Sequence, residues 1–598
     1  MGKQQQQQQQ QPAFHANSRS VEGAMWTLGV TAVAVAAAAA AVTALTALVG
    51  GAAVALAACA LALYLWRRAR HRRLVEASLP GPPLPFDTSR GARGVLGSLL
   101  FGHVWAIIVG APVPHTQRPD VMGMFAAWRD ASAAGGHGCF RLWAFHPLFF
   151  AAKVLCVLHD PPLVKALLSR KQYGTWAKGS SYVLAAPLIG RRALLAAPDG
   201  ALWHRQRRLA NAGFRLSVLR HTNANVKHYA RRLAARWDAA AARGDAVNVG
   251  DDMLKLTIDV LGKTAFSYDF NSVSAATAAD APLFTAFDVI LKTLTDRGRG
   301  KQLTAWLPTA ENRRFDRAVK RLDDVVAAIV KQRAADAKLR ASAAATGGMA
   351  GAGTAADKKA DDLLDQLVVA PDGDGNGDGE ALPQQLIVDN VKTLLFAGHD
   401  TTASALAWAL YLVSTHREAE ARLLAEFASV DADVSSDGGG GDDEYKALER
   451  LPFLGAVIKE VLRLYPSAGF TRTCASASGA RLGKYFVPAG ADVYVFPYLL
   501  HRDPRFWPDA PNAFKPDRWL SPSINDAKGR TPEQRGVYLP FSLGMRNCVG
   551  RMLALAELRA ALKFLLQRYR FTPGPEVPKV VLYMTLCPNR IMMGVERR

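Results

Sequence analysis

The sequence predicts a mainly α-helical protein with small β-sheets, preceded by an N-terminal transmembrane helix. Three observations predict it. Apolar residues recur at helical spacing over about 224–243, 310–340, 384–430 and 552–569. Runs with strand character are short and sit around Ala152–Leu158, Ala491–Phe496 and Val580–Met584. A 44-residue stretch from Gly23 to Trp66 carries no charge. There is no internal repeat and no alternation of strand and helix, which argues against a doubly wound nucleotide-binding sheet.

The uncharged stretch is long enough to cross a bilayer, which takes about 20 apolar residues. It is too long for the apolar core of a cleavable signal peptide. Two crossings with a turn at Gly50-Gly51 would leave only Ala52–Trp66 for the second, so one span over roughly Val42–Trp66 is the expectation. Arg67, Arg68, Arg70, Arg72 and Arg73 follow directly, against Lys3 and Arg19 on the other side. The positive-inside bias puts everything after Trp66 in the cytosol. Leu79-Pro80-Gly81-Pro82-Pro83-Leu84-Pro85 reads as a stiff, non-helical spacer. The expected layout is a Gln-rich disordered start at 1–24, an anchor at 25–66, a basic segment with a Pro-rich hinge at 67–114, and one large domain at 115–598.

The chain has 598 residues, half of them hydrophobic, and a formal charge of +22. Such a balance suits an anionic membrane or an acidic partner; no zinc-finger spacing or aromatic RNA-binding signature supports nucleic acid. The six cysteines are scattered, unlike a disulfide scaffold. Three segments built from Ala, Gly, Asp and Ser, near 341–360, 371–380 and 435–444, read as low-complexity surface insertions. The second imitates the start of a calcium loop with Asp372, Asp374, Asn376, Gly377 and Asp378. The bidentate Glu needed at its twelfth position is Pro383, so a solvated acidic linker is the better reading.

One cysteine has informative neighbours: Phe541-Ser542-Leu543-Gly544-Met545-Arg546-Asn547-Cys548-Val549-Gly550-Arg551, with a helical pattern starting near Met552. Gly544 and Gly550 let the backbone approach a flat ligand closely. A cysteine just before a helix meets the positive end of the dipole, which favours thiolate. A thiolate is the ligand that pushes electron density onto haem iron. Arg546 is placed to pair with a haem propionate.

Phe-x-x-Gly-x-Arg-x-Cys-x-Gly resembles the signature of the cytochrome P450 family, and four further segments match in the family's order across roughly 115–598. Ala397-Gly398-His399-Asp400-Thr401-Thr402 is similar to its oxygen-activating helix. The resemblance implies that Thr401 assists oxygen activation and Asp400 relays protons, with His399 a packing or hydrogen-bonding residue. Glu460 and Arg463, one helical turn apart, resemble with Arg518 the family's buried charged triad. Trp203 and Arg207 resemble its propionate-binding pair, and Arg472 is a further candidate for that role. Arg205 and Arg208 are expected on the surface, where an acidic reductase could meet them.

The resemblance implies haem b as cofactor, with Cys548 on the iron. It further implies O2 and NADPH as co-substrates, an NADPH–cytochrome reductase and cytochrome b5 as partners, and a lipophilic substrate. Sterol is the first expectation and fatty acid the second, for hydroxylation or demethylation. The anchor implies the cytosolic face of the endoplasmic reticulum. The insertions resemble those of protozoan relatives. Two alternatives stay open: a haem-thiolate isomerase or dehydratase of lipid peroxides, and a non-catalytic haem-binding membrane protein.

Overall fold

Long amphipathic stretches bury one face each, so the described chain is mostly helix with sheets of two to five strands. The computed structural model describes residues 40, 51–80, 121–143, 154–275, 281–298, 305–345, 362–368, 382–436, 441–582 and 584–598. The sequence reading expects one domain after residue 115; the chain divides into two compact units, one formed by residues 1–167, 174–176 and 472–495, the other by the remainder.

In the smaller unit, helix α1 (Gly51–Ser78) is apolar to Trp66 and basic beyond it. Its end is tied down where Arg141 donates to the Leu79 carbonyl at 2.6 Å. Arg141 lies on Cys139–Trp143, which pairs antiparallel with Val154–Leu158; that strand pairs parallel with Asp492–Val495. Among the described residues no helix is long and apolar enough to cross a membrane. Positions 42–50 of the expected span, and 81–85 of the spacer, lie outside the described residues.

The larger unit carries the helices that matter for function: α2 (Ala201–Gly213), α3 (Val249–Phe266), α4 (Gln384–Thr415), α5 (Pro452–Leu464) and α6 (Arg551–Arg568). Helix α4 is buried along nearly its whole length, packs on α3 and α6, and contributes to both large apolar clusters of the unit. The pattern over 384–430 is not one helix, as its spacing suggests. His416 leaves helical geometry (φ −128°, ψ 80°), its ring Nδ1 lies 2.8 Å from the Leu412 carbonyl, and a second helix runs Arg417–Ser436. Helix α5 starts with Pro452 in the first turn, where a missing N–H costs nothing.

A three-stranded antiparallel sheet places Met592–Arg597 between Ala246–Asn248 and Tyr569–Pro573. The hairpin of Val580–Leu582 and Leu586–Pro588 carries Met584 and Thr585 at its turn. Two of the expected insertions are partly helical: Ala310–Ala345 continues through 341–345, and Gly441–Arg450 includes 441–444. There Glu444 is buried against Lys227 and Lys563, an ion-pair partnership that the local composition does not reveal. Positions 346–361, the acidic segment 371–380 and positions 437–440 lie outside the described residues.

Candidate functional site

The loop ahead of α6 is fixed by backbone geometry. The Cys548 N–H donates to the Phe541 carbonyl at 2.9 Å, and the Met545 N–H donates to the Tyr173 hydroxyl at 3.1 Å. Ser542 (φ 60°) and Gly544 (φ 73°) both take left-handed backbone. A Cβ at Gly544 would stand 2.6 Å from the Leu168 carbonyl oxygen, so dihedral and space both demand glycine. Gly544–Arg546 then forms one 3-10 turn, and Cys548 arrives just before α6, whose first N–H groups lack helical partners.

Cys548 is exposed, and what it faces is a cavity of about 310 Å³, within the range of small-molecule and cofactor sites. The surrounding protein pushes its thiol pKa up. The Gly550 backbone hydrogen bond and the charges of Arg207 and Arg551 pull it back toward thiolate. The walls are largely apolar, including Ile189, Leu194, Leu261, Leu394, Phe396 and Phe470.

Helix α2 brings Trp203 and Arg207 to this cavity on successive turns. Trp203 is buried and donates from Nε1 to the Leu194 carbonyl at 3.2 Å. Arg207 donates to both the backbone carbonyl and the side-chain oxygen of Asn547, each at 2.6 Å, which braces the residue next to Cys548. Arg208 is exposed and Arg205 half-buried. Arg546 stacks over Trp203 at 3.9 Å, donates to Asp199 at 2.7 Å and to the Ala197 carbonyl at 2.8 Å. The sequence reading gives Arg546 to a propionate alone; the structure adds a carboxylate partner from within the chain.

Helix α4 supplies the other wall. Thr401 lines the cavity and its hydroxyl donates to the Ala397 carbonyl one turn back, at 2.8 Å. A Cβ at Gly398 would come 2.6 Å from a Leu261 methyl, so the glycine lets α3 and α4 approach closely. Asp400 is buried and its carboxylate accepts from Thr585, which itself lines the cavity. Burial raises the Asp400 pKa, with His399 and Thr585 opposing. His399 is buried against Phe287, its Nδ1 2.7 Å from the Leu395 carbonyl.

The charged triad is assembled. Arg463 donates to both oxygens of Glu460 at 2.8 Å, and Arg518 adds a contact at 3.0 Å. The sequence reading missed two further donors to Glu460: Trp519 Nε1 at 2.9 Å and the Lys515 N–H at 2.9 Å. Arg463 also donates to the carbonyls of His501, Pro511 and Ala513.

Thus Cys548, Arg546, Phe541, Gly550, Trp203, Arg207 and Thr401 share one cavity, while Asp400 stands behind Thr585 and Gly544 shapes the loop. Arg472 is buried on Phe470–Cys474, in the smaller unit, and is not among the residues lining the cavity. Asp199, Thr585 and Glu557 belong to the site and were not singled out from sequence. The residues fit a haem: a lone thiol faces an apolar space, and two arginines stand in the lining. A Cβ at Gly550 meets no atom within 4 Å, which leaves room beside the thiol.

Comparison with known proteins points the same way. Residues 144–593 match the family model of cytochrome P450. Cyclooctatin synthase of Streptomyces melanosporofaciens is 31% identical over 492 residues, covering 78% of this chain and 95% of that protein. Cytochrome P450 4F3 of Mus musculus is 29% identical, covering 77% and 81% respectively. The crystal structure of the cytochrome P450DA heme domain superposes with a TM-score of 0.65 at 23% identity, covering 87% of this chain and 98% of that one.

Proposed function

The chain belongs to the cytochrome P450 family, and we propose that it is a membrane-anchored hydroxylase of a lipophilic substrate, supplied with electrons from NADPH by a separate reductase. Members of the family are monooxygenase oxidoreductases that bind haem iron and use O2. The observation that carries the proposal is Cys548, held by the Phe541 carbonyl and the Gly544 turn at the surface of an apolar cavity that Thr401 also lines.

Haem, when bound, supplies the redox-active iron. Cys548 is the residue to ligate it. Arg207 and Arg546, with Trp203 beneath Arg546, are the donors for propionates; Arg546 is held in place by Asp199. Asp400 and Thr585 form a buried acid–hydroxyl pair behind the wall, suited to carry protons to the Thr401 region. Glu460, Arg463 and Arg518 hold the segment behind the loop.

The largely apolar lining supports a lipid substrate, with sterol the first candidate. Lys178 lines the same cavity, and a cation there suits the carboxylate of a fatty acid, the second candidate. The apolar half of α1 and the arginines after Trp66 support an anchor at the endoplasmic reticulum with the catalytic units in the cytosol. A carbon monoxide difference spectrum, followed by NADPH and O2 consumption with a microsomal reductase, tests the reading. The Soret shift on adding sterols or fatty acids separates the two substrates. A thiolate-type spectrum without NADPH-dependent O2 use would move the chain to the isomerase class.

A further inference from the structure

Two arginines stand in the wall of the cavity, and the chain holds them in different ways. Arg207 rests on a neutral residue: its two Nη groups donate to the backbone and side-chain oxygens of Asn547, and no carboxylate stands against it among the described residues. Arg546 meets an acid. Its Nε lies 2.7 Å and its Nη2 2.5 Å from Asp199 Oδ1. The pair is sheltered, with 6% of the arginine side chain and 16% of the aspartate exposed, so dissolved salt screens it little.

The segment that carries Asp199 wraps the guanidinium. The Ala197 carbonyl accepts from Arg546 Nη2 at 2.8 Å, the Leu194 carbonyl accepts from Nη1 at 3.4 Å, and Trp203 lies beneath at 3.9 Å. The Leu194 N–H in turn donates to Asn390 Oδ1 on α4 at 2.9 Å. Asp199 itself stands just ahead of the first turn of α2, where the helix dipole favours a negative charge. Two opposite charges in contact act on anything beyond them as a dipole, not as a charge. Arg546 therefore offers hydrogen-bond donors with little net charge, while Arg207 offers both donors and charge.

We propose that Asp199 is a positioning residue that sets the reduction potential of the haem iron, by cancelling the charge of Arg546 while leaving its donors in place. One electron, from NADPH through the reductase, converts ferric iron to ferrous. No bond in Asp199 or Arg546 forms or breaks, and no proton moves. A negative charge beside the site opposes the arrival of that electron, so removing it raises the potential. The inference rests on the haem-bound reading of the cavity.

A dye-coupled redox titration of the haem-loaded protein, without reductase, tests it. Asp199→Asn should raise the ratio of ferrous to ferric at a fixed potential by about tenfold, an upward shift of about 59 mV. Asp199→Glu keeps the charge and should keep the wild-type potential. Arg546→Gln should lower the potential, and the double variant with Asp199→Asn should return close to wild type, since the pair leaves together. A potential unchanged or lowered in Asp199→Asn overturns the proposal, whatever the rate at which haem passes to apomyoglobin; faster haem loss at an unchanged potential would make Asp199 a brace for Arg546 and nothing more. Should Asp199→Asn take up no haem, Arg546→Gln alone decides, and an unchanged potential there overturns the assignment. A wild type that binds no haem overturns this inference together with the reading beneath it. A haem-loaded wild type that consumes no O2 with NADPH and reductase loses the hydroxylase reading alone, because the titration needs neither.

Discussion

Glu460 and Glu557 are carboxyl groups buried almost equally, at 0% and 2% exposure, and the protein treats them in opposite ways. Glu460 receives five hydrogen bonds, from Arg463 (two), Arg518, Trp519 and the Lys515 backbone. Glu557 has an oxygen with none among the described residues, and the residue lines a cavity. Burial alone is therefore no guide to role. A saturated carboxylate in a dry site locks two segments together, because any loosening strands a charge. An unsaturated one beside a space keeps its stabilisation unspent until something enters that space.

The largest effect is expected at the cavity itself: Cys548→Ala should abolish the carbon monoxide band and all NADPH-dependent O2 use, read by spectroscopy and an oxygen electrode. Glu460→Ala should cost about 3–5 kcal/mol in urea denaturation and yield protein largely without haem, since Arg463 would be left buried and unpaired. Haem-replete, fully stable Glu460→Ala protein would dissolve the contrast.

His501 extends the test to pH. It is buried, its Nε2 accepts from the Leu539 N–H at 2.7 Å, and burial with the nearby Arg463 charge lowers its pKa from 6.5 to about 3. Between those values the unfolded chain binds a proton that the folded chain refuses. Stability from this group is complete above pH 6.5 and declines as pH falls toward 3, by on the order of 5 kcal/mol in total. Chemical denaturation from pH 7 down to pH 4 should show that slope, and His501→Gln should flatten it.

Gly544→Ala should cost about 1–3 kcal/mol through left-handed backbone and the clash with the Leu168 carbonyl. Its measurable sign is weaker haem retention on heating. The smallest effect has the opposite sign. Glu557→Leu should stabilise the folded protein by about 1 kcal/mol, because a buried atom without a partner is exchanged for methyl groups. A loss of stability there would mean that Glu557 is as well paired as Glu460.

Much of the architecture is legible in the sequence. The segments read as helical are helical, and each of the three β-like runs holds a strand, because periodicity reports which face is buried; most of the described strands, such as Phe470–Cys474 and Met592–Arg597, lie outside those runs. The helix that carries Ala397–Thr402 is legible over Gln384–Ser414 and runs Gln384–Thr415, although the apolar spacing continues past His416 into the next helix. The cysteine loop is legible because its glycines and its place before a helix are local. So are Trp203 with Arg207, and Glu460 with Arg463, each pair one turn apart.

Partners that meet only through the fold are another matter. Asp199 and Arg546 are 347 positions apart, and Asp400 and Thr585 are 185 apart. Nothing in their local sequence announces these pairings.

The sequence by itself determined the helix-rich class, the cysteine with its flanking glycines, the acid–threonine pair on a long helix, and the basic run after an apolar stretch. These depend on spacing within a few turns, which the covalent chain enforces. Tertiary structure alone decided that Arg546 pairs with Asp199, that Asp400 accepts a hydrogen bond from Thr585, and that Glu557 lies in the cavity wall with no partner for one oxygen among the described residues. Those outcomes depend on how helices pack, and packing determines which buried polar groups find partners and which are left to face the empty space.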